Sequence, residues 1–99
     1  TDELIAALYG IRSNYYLSEK KANLAVLDLL EATKKHPDKT VYHLSLARIL
    51  SAGGHYSQAI MAIDLLRKKD VHNKEKHLID EVYEKILEDK AMLSSSKEN

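Results

Sequence analysis

Five histidines stand at positions 36, 43, 55, 72 and 77, and histidine is the side chain best suited to bind a metal or move a proton near neutral pH. A helical zinc pair needs two imidazoles at i and i+4, or H-E-x-x-H with a third ligand, so that the ligands share a face. No two of the five share a predicted helix at that spacing; His72 and His77 are five apart and straddle a predicted helix start. They read as structural or surface groups, and no metal is expected. The absence of cysteine removes disulfides, thiolate nucleophiles and cysteine–zinc sites. The chain has no G-x-S-x-G, no P-loop and no G-x-G-x-x-G. Gly53 and Gly54 are followed by His55 and Tyr56, not by the Lys and hydroxyl residue that hold a phosphate. Asp80, Glu81 and Glu84 fall on one predicted helix, where carboxylates ordinarily form a wet face. The expectation is a protein with no catalytic residues and no cofactor.

Charge narrows the partner class. Fifteen basic residues balance fifteen acidic ones, whereas general nucleic-acid binders are basic, so no nucleic acid is expected. Two of the three basic clusters, Lys34-Lys35 and Arg67-Lys68-Lys69, close predicted helices, where cations suit the helix dipole. The third, Lys20-Lys21, lies in a predicted turn. No apolar run approaches the roughly 18 residues of a membrane span, and no signal-peptide pattern is visible. An adaptor on a membrane surface would need an anchor or a basic face. A cytoplasmic location is the expectation, and the lack of cysteine is compatible with it.

What positions these residues is a set of helices. The chain is 44% hydrophobic, with one proline and three glycines, and Leu, Ala, Lys and Glu are abundant. Ninety-nine residues make one domain at most. Thr1 caps a first helix whose apolar positions are Leu4, Ile5, Leu8, Ile11, Tyr15 and Tyr16, with Gly10 inside it. Ser18 is read as the cap of a second helix carrying Ala22, Ala25, Val26, Leu29, Leu30 and Ala32, which Pro37 stops. A third helix, capped by Asp38 or Thr40, carries Val41, Leu44, Leu46, Ala47, Ile49 and Leu50 and ends at Gly53-Gly54. A fourth runs from about Tyr56 to Lys69. Asn73 is the expected cap of a fifth helix with Leu78, Ile79, Val82, Ile86 and Leu87. A polar tail, "SSSKEN", is expected to be disordered.

Sliding the chain on itself by 34 residues reveals a repeat. Ala25 falls on Ala59, Leu29 on Ile63, Val26 on Ile60, Tyr16 on Leu50 and Ser13 on Ala47. Lys34-Lys35 fall on Lys68-Lys69. The first unit, about 6–39, reads Tyr9-x2-Arg12-Ser13-x2-Tyr16, then Ala25-x3-Leu29, then Pro37. The second, about 40–73, reads His43-x2-Leu46-Ala47-x2-Leu50, then Ala59-x3-Ile63, and contains "GHYSQAI". This pattern resembles the tetratricopeptide repeat (TPR) family, a 34-residue helix–turn–helix unit with W-x2-L-G-x2-Y, A-x3-F and P. Arg12 stands where that family prefers Leu, His43 where Trp is common and Val71 where the proline would be. The first turn lacks the glycine.

The resemblance implies an all-α fold, a right-handed stack of antiparallel helix pairs with about five helices: two repeats, a capping helix over about 74–93 and a tail over 94–99. It also implies a non-catalytic scaffold that binds a peptide or helix of another protein in a concave groove. The groove positions would be Asn14 and Leu17 beside Gly10 in the first helix, and Leu44, Ser45, Arg48 and Ser51 in the third. Asn14 and Arg48 lie 34 apart and are expected to stack as neighbouring polar groups able to hold a backbone or carboxylate. One subfamily clamps chaperone C-termini with Lys, Asn and Arg. Here Gly10, Glu75 and Ile79 occupy clamp positions, so that ligand is not expected. The alternative is an architectural segment of a longer helical-repeat subunit with no ligand of its own. Two units fall short of the three usually needed for stability, and the chain begins at Thr1. The expectation is therefore a piece of a longer array or a chain that associates with itself.

Overall fold

Helix formation follows from the local signals just described. The computed structural model describes residues 1–70 and 74–98. It contains five α-helices: α1 (Asp2–Ser18), α2 (Ala22–Lys35), α3 (Thr40–Ala52), α4 (Tyr56–Lys69) and α5 (Lys76–Glu98). No strand occurs among the described residues. Thr1 Oγ1 accepts the backbone N–H of Leu4 at 3.3 Å, and Asp2 and Glu3 place negative charge at the positive end of α1. His36, ahead of Pro37, leaves the helical region at φ −140° and ψ 72°, which ends α2.

The turn after α1 and the turn after α3 are built alike, 34 residues apart. In the first, Glu19 N–H donates to Tyr15 O (3.1 Å), Lys20 N–H to Leu17 O (3.0 Å) and Lys21 N–H to Tyr16 O (2.8 Å). In the second, Gly53 N–H donates to Ile49 O (3.1 Å), Gly54 N–H to Ser51 O (3.0 Å) and His55 N–H to Leu50 O (2.8 Å). Both are Schellman closures, with the left-handed residue at Lys20 (φ 61°) and Gly54 (φ 84°). Ser18 therefore does not cap α2. It ends α1, its hydroxyl donating to Tyr15 O at 2.6 Å, and α2 starts after Lys21 with no side-chain cap.

At the end of α4, Asp70 holds the backbone that leads into α5. Its two carboxylate oxygens accept the N–H groups of Lys74 (3.0 Å) and Glu75 (2.9 Å) ahead of α5. Asn73, the expected cap of α5, lies with Val71 and His72 outside the described residues. Helix α5 runs to Glu98, past the end expected near 93, since "SSSKE" contains neither glycine nor proline to stop it.

The chain divides into two compact units, Thr1–Leu46 and Ala47–Asn99. In the first, α1 packs along α2, antiparallel by virtue of the three-residue turn that joins them. The buried residues are Ala6, Ser13, Ala25, Asp28, Leu29, Ala32, Leu44 and Leu46. Gly10 permits a close approach: a Cβ added there would lie 2.9 Å from Tyr42 Cε1. In the second unit α4 packs against α5, and Ala47, Ser51, Ala59, Ile63, Leu66, Ile79 and Ile86 are buried.

The first helix departs from the expected stripe. Its buried side chains are the small Ala6 and Ser13, while Leu4, Ile5, Leu8, Ile11 and Tyr15 are exposed. Helix α1 therefore meets its neighbours through small residues and turns its large apolar side chains outward. Leu78 and Leu87 of the fifth-helix stripe are also exposed, whereas Ile79 and Ile86 are buried.

Candidate protein-interaction surface

The six predicted groove positions divide between the two units. In the first unit Asn14 is exposed, Leu17 is 39% exposed and Ser45 is half-buried. Asn14 and Ser45 share an open cavity of about 310 Å³ with Gly10, Val41 and Tyr42. Its rim mixes exposed Asn14 with the exposed apolar Ile11 and Val41, and its floor is formed in part by buried Leu29 and Ser13. Leu44 is 8% exposed and belongs to the core, so its side chain is not presented to a ligand.

In the second unit Arg48 is exposed and lines a cavity, also about 310 Å³, with Glu81, Val82, Glu84, Lys85 and Glu88. Three carboxylates, of Glu81, Glu84 and Glu88, line the same cavity, and that negative lining works against a carboxylate ligand there. Ser51 is 2% exposed and is engaged internally: its hydroxyl donates to Asp89 Oδ2 at 3.0 Å. Tyr56 Oη donates to the Asp89 carbonyl at 3.4 Å, and Lys85 Nζ lies 3.7 Å from Asp89 Oδ1. The burial of Leu44 and of Ser51 has one physical origin. A groove position on a helix presents its side chain only if the helix is rotated outward there, and Leu44 and Ser51 are rotated into packing. Asn14, Ser45 and Arg48 remain accessible.

Two ion-pair clusters carry the strongest electrostatics. Arg12 Nε donates to Asp28 Oδ2 at 2.9 Å and its Nη2 to Oδ1 at 2.7 Å, a bidentate fork on a carboxylate that is 3% exposed. The guanidinium carbon lies 5.6 Å from the Tyr9 ring centre and 5.5 Å from that of Tyr16. Hydrogen bonding to Asp28 holds the Arg12 guanidinium above its already high range, so it stays charged. Arg12 was visible in the sequence only as a departure from a Leu. The signal that identifies its partner is an aspartate, Asp28, among Ala25, Leu29 and Ala32 on the packed face of α2.

Asp80, a candidate carboxylate for acid–base work, accepts from Lys76 Nζ at 2.8 Å and from Arg67. These bonds, Lys76 first, hold it below the usual carboxylate range. It stays ionised with both oxygens occupied and joins α4 to α5, with Arg67 also 5.2 Å from the Tyr83 ring centre. Glu81 and Glu84 are exposed. Among the histidines, His43 Nε2 donates to the Pro37 carbonyl at 2.8 Å and His36 lies edge-on to Tyr42 at 6.4 Å. His55 occupies the position before α4, and His77 is exposed. No group of three or more His, Asp or Glu among the described residues is placed to hold a metal ion. No helix among them is long and apolar enough to cross a membrane.

What the site offers is a set of open cavities on helix surfaces: one in the first unit lined by uncharged side chains, and one in the second lined by Arg48, Lys85 and three glutamates. No protein-family model, curated protein or solved structure matches this chain.

Proposed function

We propose that this chain is a TPR-like, non-catalytic interaction module that holds a peptide or helix of another protein against its first and third helices. The observation that carries the reading is the 34-residue recurrence of the whole hairpin turn: the same three backbone hydrogen bonds and the same left-handed residue at Lys20 and Gly54. Helices α2 and α4 begin and end at positions 34 apart, and Ala25 and Ala59 are both fully buried. In repeat proteins of this kind a hairpin cannot cover its own apolar face without a neighbour, and first helices carry the recognition positions. In this reading the partner contacts Asn14, Leu17, Ser45 and Arg48, and the module works in the cytoplasm as part of a multiprotein assembly.

The test is affinity capture with the 99-residue chain beside its Asn14→Ala/Arg48→Glu variant. Loss of one defined partner protein from the variant, with helical circular dichroism unchanged, supports the groove. Equal capture by both removes it. Equal capture combined with loss of assembly in packing variants would favour the architectural segment instead.

A further inference from the structure

The outward face of α1 is too regular to be incidental. Leu4, Leu8, Ile11 and Tyr15 follow one another at intervals of four, three and four residues, which is the seam of a coiled coil rather than a broad core face. Each is more than half exposed: 60%, 58%, 67% and 57%. The face of α1 that packs into its own unit is the opposite one, marked by buried Ala6 and Ser13. The seam is therefore spare: the fold of its unit does not use it. Scattered exposed apolar residues need no explanation, but a continuous stripe along a whole helix marks an interaction surface.

We infer that this seam pairs antiparallel with the same seam of a second copy of the chain. Charge selects the occupant and its direction. The first turn of α1 carries Asp2 and Glu3, while Lys20 and Lys21 follow Glu19 just past its other end. Antiparallel pairing brings the acidic first turn of each copy to the lysine-bearing end of the other and sets the two helix dipoles in opposition. Parallel pairing places like ends together. In the antiparallel register Leu4 meets Tyr15, and Leu8 meets Ile11, so each layer joins two large side chains. The positions flanking the seam are Ile5, Ala7, Arg12 and Asn14. Arg12, the one charge among them, is already neutralised by Asp28. Such a contact is isologous and closes on itself at two copies. Covering the four side chains on both copies removes roughly 1,000 Å² from water, at the low end for a specific interface, which suits a reversible dimer.

Ile11 of the seam also lines the cavity of Asn14 and Ser45, so the two readings are separated by their tests: Asn14→Ala/Arg48→Glu is read by capture of another protein, and Leu8, which does not line that cavity, by self-association. The pairing is tested by sedimentation of the 99-residue chain over a hundredfold concentration range. The expected mass rises from 11.2 kDa toward twice that value, with a dissociation constant on the order of 10 μM. Leu8→Glu is expected to weaken association at least tenfold while helical circular dichroism is unchanged. Leu8→Glu/Ile11→Lys is expected to restore it, because the antiparallel register sets the introduced carboxylate against the partner's introduced ammonium; a parallel pair would set like charges together. If Leu8→Glu loses helicity, Leu8→Gln applies the same test without a charge. A mass fixed at 11.2 kDa at every concentration, growth beyond two copies, or a helical double variant that stays monomeric overturns the proposal.

Discussion

Arg12 and Asp28 form one exchange seen against the repeat. Thirty-four residues on, the equivalent positions hold Leu46, which is buried, and Ala62. One unit joins its two helices with a buried carboxylate under a bidentate arginine, and the other has apolar residues at the same places. A buried carboxylate without its partner is costly, whereas replacing both members with apolar residues can be nearly neutral. Arg12→Leu alone is therefore expected to lower the melting temperature by several degrees, and Asp28→Ala alone to lower it too. Arg12→Leu/Asp28→Ala should recover most of the loss. Thermal unfolding of the four proteins forms a double-mutant cycle, and simple addition of the two losses would mean that the pair is not coupled. From the sequence, Arg12 was legible as an anomaly, and Asp28 as an aspartate among the apolar positions of α2, but that the two pair needed the tertiary structure, which sets the rotation of α2 about its axis.

At the scale of elements, the turns are the most informative feature. The Gly53-Gly54 turn could be read directly, since Gly54 adopts φ 84° and glycine does so without strain. The equivalent closure at Lys20 could not, because a lysine gives no sign that its backbone is left-handed. That conformation costs a non-glycine residue about 1 kcal/mol, and nothing in the Schellman hydrogen bonding requires a side chain there. Lys20→Gly is expected to stabilise the chain by about 0.5–1 kcal/mol, and Gly54→Ala to destabilise it by about 1 kcal/mol. Urea unfolding measures both. Equal effects of the same sign would show that the two turns are not equivalent. The caps follow the same logic: Thr1 was legible, whereas Ser18 ends α1 instead of capping α2, because backbone closure carried α1 further, and the Asp70 carboxylate, to which the sequence assigned no role, holds the backbone of Lys74 and Glu75 ahead of α5.

Among the described residues, Ala6, Ala25, Ala32, Ala47 and Ala59 are all fully buried, and Ser13 nearly so, beside the larger Leu29, Leu44, Leu46, Ile63, Leu66, Ile79 and Ile86. Helices meeting through alanine sit close and leave no room for growth. Ala59→Leu is expected to cost about 1–3 kcal/mol by overpacking, measured by chemical denaturation, and an unchanged midpoint would place Ala59 outside the packed face. The sequence by itself determined the all-helical class, the number of helices, their approximate ends and the 34-residue recurrence. Those properties reside in local spacing, in Pro37 and the glycines, and in the recurrence of alanine. Tertiary structure alone decided which face of each helix turns inward. Periodicity finds the apolar stripe of α1 but cannot say that Ala6 and Ser13, rather than Leu4, Leu8, Ile11 and Tyr15, meet the rest of the unit. Burial is a property of the neighbour as much as of the residue, and close approach rewards small side chains over large ones. For the same reason only the structure separates Leu44 and Ser51, which are buried, from Asn14 and Arg48, which are exposed, and Ser45, which is half-buried.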